Sequence, residues 1–132
     1  MAVIDASAAA GLIVDLPWSA EARAAILAEE KRIAPSLFAV EIGSTVWQNI
    51  RAGVLSVDFG MMALDEVVPI VTLIPDTDVL HSALSMALRE RHPIYDCLYL
   101  AVAAQQREVL FTADMKMAAI ARRLGQRFKL FL

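Results

Sequence analysis

The sequence predicts an α/β fold of three layers, with a central, mostly parallel sheet of about four to five short strands between helices. Short uninterrupted apolar runs, among them Ala2-Val3-Ile4 and Val109-Leu110-Phe111, alternate along the chain with helix-length segments. Strands that are apolar at every position suit a sheet covered on both faces, because a half-solvated antiparallel sheet alternates apolar with polar residues. The 132 residues are 58 % hydrophobic and 20 % charged, enough to bury one core without disulfides, and 1–132 is expected to be a single domain.

The first strand, Ala2-Val3-Ile4, ends in Asp5-Ala6-Ser7, and a helix over 8–15 follows with Ser7 or Asp5 as its cap. Pro17 breaks that helix, and Ser19 is placed to cap the next, over 20–30. Ile33-Ala34 forms a short strand. Pro35-Ser36 then opens a helix over 37–52, where Phe38, Ile42, Thr45, Val46 and Ile50 recur at roughly helical spacing before Gly53. Ser56 caps a helix over 57–67, and the β-branched run Ile70-Val71-Thr72-Leu73-Ile74 is expected to be a buried strand stopped by Pro75. Thr77 caps a helix ending near Arg91, and His92-Pro93 forces a break before a helix over 94–107. The strand 109–111 runs into Thr112-Ala113-Asp114, a helix covers 115–124 up to Gly125, and 128–132 forms a last strand.

Composition removes several function classes. Cys97 is the single cysteine, which excludes a disulfide framework and a cysteine-based zinc site and suits a reducing cytoplasm. Two histidines, His81 and His92, supply a zinc hydrolase poorly and are expected to be structural or exposed. The longest apolar runs, 67–74 and 98–104, fall far short of the roughly 20 residues of a membrane helix. The N-terminus lacks a basic leader, so neither export nor membrane insertion is expected. Net charge is −3, but 1–88 carries four basic and eleven acidic residues while 89–132 carries eight basic and four acidic. A basic C-terminal third containing Lys116, Arg122 and Arg123 can draw a polyanion to one side, although a solvated helix face explains it as well.

In open α/β sheets, ligands bind beyond the carboxyl ends of the strands. Asp5 and Asp114 fall at that edge. Glu41 interrupts an apolar helical stretch, Phe38-Ala39-Val40-Glu41-Ile42, and Asp96 lies in the first turn of its helix within Pro93-Ile94-Tyr95-Asp96-Cys97-Leu98-Tyr99-Leu100. Taken singly, each has a structural explanation: a cap for Asp5 or Asp114, the helix dipole for Asp96, an ion pair for Glu41. Four acids in apolar settings point instead to a cluster, whose mutual repulsion a divalent cation relieves. Oxygen-only ligation favours Mg²⁺ or Mn²⁺ over zinc, and carboxylate-held Mg²⁺ is the usual apparatus of phosphoryl transfer.

Together these segments resemble a PIN domain and, within that family, the VapC-like ribonuclease toxins of type II toxin–antitoxin pairs. Four anchors carry the resemblance over essentially the whole chain: Val3-Ile4-Asp5-Ala6-Ser7, Pro35-Ser36-Leu37-Phe38-Ala39-Val40-Glu41, Tyr95-Asp96-Cys97-Leu98-Tyr99-Leu100-Ala101 and Phe111-Thr112-Ala113-Asp114. It implies a Mg²⁺- or Mn²⁺-dependent endoribonuclease. Asp5, Glu41, Asp96 and Asp114 would be its acids, with Asp5, Asp96 and Asp114 as metal ligands and Asp5 central. Ser7 and Thr112 match hydroxyl positions that support those carboxylates, while Ser44 stands where the family often has Asn and is a shorter donor.

The resemblance also implies an RNA substrate, a homodimer and a cognate antitoxin protein, with DNA reached only indirectly through the antitoxin. Trp18, Trp47, Met61 and Met62 could line such partner surfaces. Cys97 is expected to be a buried, inert thiol. A phosphoacceptor domain would want an acidic pair after the first strand, and an aspartate-nucleophile phosphatase a second acid where Ser7 stands. The stronger alternative is a PIN-like protein-interaction module without catalysis.

Overall fold

The computed structural model describes all of residues 1–132. Five strands, β1 (Ala2–Ile4), β2 (Arg32–Pro35), β3 (Thr72–Ile74), β4 (Val109–Thr112) and β5 (Phe128–Leu130), form one wholly parallel sheet in the order β3-β2-β1-β4-β5. Helices α1 (Ala6–Ala9), α2 (Ser19–Ala28), α3 (Leu37–Arg51), α4 (Val57–Val67), α5 (Leu80–Glu90), α6 (Ile94–Gln106) and α7 (Met115–Arg123) flank it. The expected α/β architecture is the one observed. In register, Val3 of β1 faces Ile33 on one side and Leu110 on the other. The central strand is fully buried, as an apolar run covered on both faces must be.

The strand order places the site. From β1 the chain builds outward to β2 and β3, then crosses back to add β4 and β5 on the other side. Right-handed crossovers in opposite directions put their helices on opposite faces, so the connections leaving β1 and β4 diverge. The carboxyl ends of these two strands, where Asp5 and Asp114 lie, are therefore the switch point at which open α/β sheets bind ligands.

Four local expectations are corrected. The buried strand expected over Ile70–Ile74 is shorter and lies at the sheet edge, with Thr72 and Leu73 exposed; Pro69 suits a helical first turn, and Val68–Ile70 forms a 3-10 turn instead. Thr77 does not cap α5. It sits within a 3-10 turn, Asp76–Asp78, whose Asp76 carboxylate accepts the Leu37 amide while the Asp76 amide donates to Ser36 Oγ, tying the end of β3 to the start of α3. The first helix starts at Ala6 and gives way to a 3-10 turn at Ala10–Leu12, and Ser19 begins α2 from inside it, its hydroxyl accepting from the Leu16 amide and donating to the Val14 carbonyl. Ser56 caps α4 as expected, and Gly53, after α3, has a positive φ of 76° that suits glycine. No helix is long and apolar enough to cross a membrane.

Candidate active site

Asp5 is the most deeply placed of the four acids, at 1 % exposure. The burial is possible because its carboxylate is hydrogen-bonded from three directions. Oδ1 accepts from Ser7 Oγ at 2.7 Å and from the Ala8 amide at 2.8 Å, and Oδ2 accepts from Thr112 Oγ1. The Ala8 bond makes Asp5 the cap of α1 as well. Removal from water still dominates and pushes the Asp5 carboxyl up to about 7; the three bonds oppose that shift, and the negative charge of Asp114 adds to it.

Thr112 and Ser7 form the rest of this corner. Thr112, at the end of β4, is fully buried, and its oxygen also accepts the Asp114 amide at 3.0 Å. Ser7 Oγ lies 3.3 Å from Thr112 Oγ1 and accepts the Ala113 amide at 2.8 Å, so the two hydroxyls lace the β1 and β4 ends together. Asp114 caps α7, its Oδ1 accepting from the Lys116 and Met117 amides.

The other two acids come from the helices. Glu41, half-buried on α3, accepts at Oε1 from the Tyr99 hydroxyl of α6 at 2.7 Å. Burial raises its carboxyl above the ordinary range; the Tyr99 bond opposes this, and the charges of Asp96 and Asp76 add to it. Asp96 accepts at Oδ2 from His92 Nε2, four residues earlier, at 2.5 Å when that nitrogen carries its proton. Sequence reasoning set His92 aside and gave Tyr99 no role. The signals available were the i, i+4 offset of His92 from Asp96 and a tyrosine three residues after Asp96 in a buried run.

The four acids do not close into one cluster, which corrects that expectation: no three acidic, histidine or cysteine side chains lie together as a metal-holding group. Asp5 senses Asp114, Glu41 senses Asp96, and Tyr99 senses both Asp5 and Glu41. Repulsion keeps like charges apart, Asp114 is held by its cap, and Asp96 is held by His92. The donor set nonetheless suits a hard divalent cation. Asp114 Oδ2, Glu41 Oε2 and Asp96 Oδ1 accept no hydrogen bond within the chain, and every donor is an oxygen. Ser44 is exposed, and its hydroxyl accepts from Gln48 Nε2 at 3.5 Å and from none of the acid-supporting groups.

Comparison with known proteins falls on this arrangement. The family model of the PIN domain matches residues 2–123. The chain belongs to the PIN-domain family. Ribonuclease VapC3 of Pyrobaculum aerophilum is 29 % identical over 119 residues, covering 88 % of this chain and 91 % of the relative. Among solved structures, PAE2754 from the same organism superposes with a TM-score of 0.75 at 24 % identity, over 96 % of this chain and 82 % of that one. Mycobacterium tuberculosis VapC20, described as a sarcin–ricin-loop-cleaving toxin, superposes at 0.69 with 14 % identity, over 90 % and 94 %. These two likenesses bear on the fold alone, and they are to the five-stranded PIN architecture described above.

Other expectations fall around the PIN core. Cys97 is fully buried, as expected, and its thiol is pushed up to about 11 by burial first and the Asp96 and Glu90 charges second. Trp47, Met61 and Met62 are exposed, whereas Trp18 packs against the core beside Gly11. Arg123 pairs with Glu90 at 3.1 Å and Arg122 covers the Phe128 ring.

Proposed function

We propose that this PIN domain is an endoribonuclease of the VapC type, hydrolysing RNA phosphodiester bonds with Mg²⁺ or Mn²⁺ held by its acids. The observation that carries the reading is Asp5: a buried carboxylate at the point where the strand order reverses, aligned by Ser7 and Thr112 and left with a high proton affinity. Such a group is costly to ionise unless a cation accompanies it. Similarity to a ribonuclease over most of both chains supports the same conclusion.

In this account Asp5, Asp96 and Asp114 are the metal ligands, with Asp5 central. The cation, when bound, supplies positive charge for the carboxylates and the phosphate and makes water more acidic. The chain's own residues do the rest. Ser7 and Thr112 fix the Asp5 oxygens, the cap geometry fixes Asp114, and Glu41, through its free Oε2, helps to orient the attacking water and take its proton. The positive charge of the C-terminal third would attract the flanking phosphates without any one basic residue being assigned to them.

The same reading assigns a cognate antitoxin, a homodimer and a cytoplasmic location, with exposed Trp47, Met61 and Met62 as apolar surface for a protein partner. A second reading, an interaction module without catalysis, is favoured by the lack of a preformed three-acid group. Mapping RNA 5′ ends in cells that briefly express the wild type or Asp96→Asn separates the two. New cut sites and growth arrest that vanish in the variant support the nuclease; identical RNA ends and growth favour the module.

A further inference from the structure

Tyr99 is 1 % exposed, on the stretch of α6 from Cys97 to Ala103 in which every residue is buried. Its neighbours there are a thiol and aliphatic side chains, so its hydroxyl is the strongest hydrogen-bonding group on that surface. Phenylalanine would fill the same volume, as Phe38 does on α3, and would need no partner. The Tyr99 hydroxyl instead reaches across to Glu41, 58 residues away, and donates to one carboxylate oxygen at 2.7 Å, with the Ala6 amide, next to Asp5, also turned to the phenol oxygen.

Two consequences follow for Glu41. A half-exposed glutamate has three rotatable side-chain bonds, and the cost of losing that freedom is already met in the free protein when one oxygen is anchored from a rigid helix. The bond also leaves Oε2 as the one oxygen available to a ligand. The charges of both Glu41 and Asp5 act on the Tyr99 hydroxyl.

Resting on the proposed metal-dependent nuclease, we infer that Tyr99 is a positioning residue: its hydroxyl holds Glu41, which is not itself one of the three ligands, in one fixed orientation, so that its negative charge adds to theirs at the cation from a set place. A hydroxyl that merely satisfied its own burial would leave cation affinity unchanged when removed.

The test is Mn²⁺ titration of the purified full chain by calorimetry, with the thermal midpoint recorded without metal. Tyr99→Phe is expected to weaken Mn²⁺ binding about tenfold, or about 1.4 kcal/mol. In a Glu41→Gln background the same substitution is expected to add nothing, since its effect runs through the Glu41 charge. Glu41→Asp keeps the charge but cannot span to the phenol, and it is expected to lose as much as Tyr99→Phe; it tests the inference even if Tyr99→Phe folds poorly. Wild-type affinity in folded Tyr99→Phe or in Glu41→Asp overturns the inference while the metal reading stands, as does equal weakening with and without Glu41. A wild type that takes up no Mn²⁺ removes the metal reading and the inference together.

Discussion

The Thr112 hydroxyl donates to Oδ2 of Asp5, joining the ends of β4 and β1 across 107 residues of sequence. This bond, with those from Ser7 and the Ala8 amide, holds a carboxylate in a place where burial alone would expel its charge. The same oxygen of Thr112 receives the Asp114 amide, so one side chain sets the geometry of two of the proposed ligands.

Replacing that hydroxyl should be felt in both. Thr112→Val keeps the shape but leaves Asp5 one donor short, and hydrogen bonds to charged groups contribute about 1.5–3 kcal/mol. The expected outcome is a loss of about 2 kcal/mol at pH 8, where Asp5 is ionised, together with an Asp5 titration midpoint above the wild-type value of about 7. Carboxyl-carbon NMR titration of both proteins checks the second statement, and an unchanged midpoint contradicts it.

Asp5 also fixes a pH dependence of stability. Its folded value of about 7 lies above the ordinary 3.8. Between those values the folded chain holds a proton that the unfolded chain has released, so stability is fully present below about pH 4 and falls as pH rises to about 7. One-proton linkage sets the size at no more than about 4 kcal/mol. Asp5→Asn removes this slope, so without metal its melting temperature should exceed that of the wild type at pH 8 and approach it near pH 4. Parallel melting curves across the range would rule out a raised Asp5.

His92 and Asp96 should separate structure from activity. Their side chains are 17 % and 27 % exposed, so solvent screens the pair and its contribution to stability should be about 1 kcal/mol or less. His92→Ala is therefore expected to move the melting temperature by only a few degrees. Asp96→Asn should fold as well as the wild type but lose RNA cleavage, since it removes a proposed metal ligand. Retained cleavage by a folded Asp96→Asn would remove Asp96 from the site.

How much of this was legible depended on how local each feature is. Strand ends and the acids beyond them are written in short segments: Val3-Ile4-Asp5 and Phe111-Thr112-Ala113-Asp114 each show an apolar run turning polar at the sheet edge, and both were placed correctly. The Glu41–Tyr99 bond was invisible because neither residue's neighbours specify which helix faces which. The His92–Asp96 pair straddles Pro93 at the cap of α6, outside the periodic stretch that sequence patterns report. β3 was overextended because its composition is that of a strand, while its position at the sheet edge and the turn at Pro69 arise from the strand order and local backbone. Ser44 lay on the right helix but on an exposed face.

In the proposed mechanism these acids cut RNA with a divalent cation. The most direct measurement is cleavage of a mixed-sequence RNA by the purified chain in Mn²⁺, in excess chelator and after Mn²⁺ is restored, with Asp5→Asn in parallel. Cutting by the wild type is expected to stop on chelation and return on restoration, with none by Asp5→Asn. Undiminished cutting in chelator, or by Asp5→Asn, would contradict this mechanism.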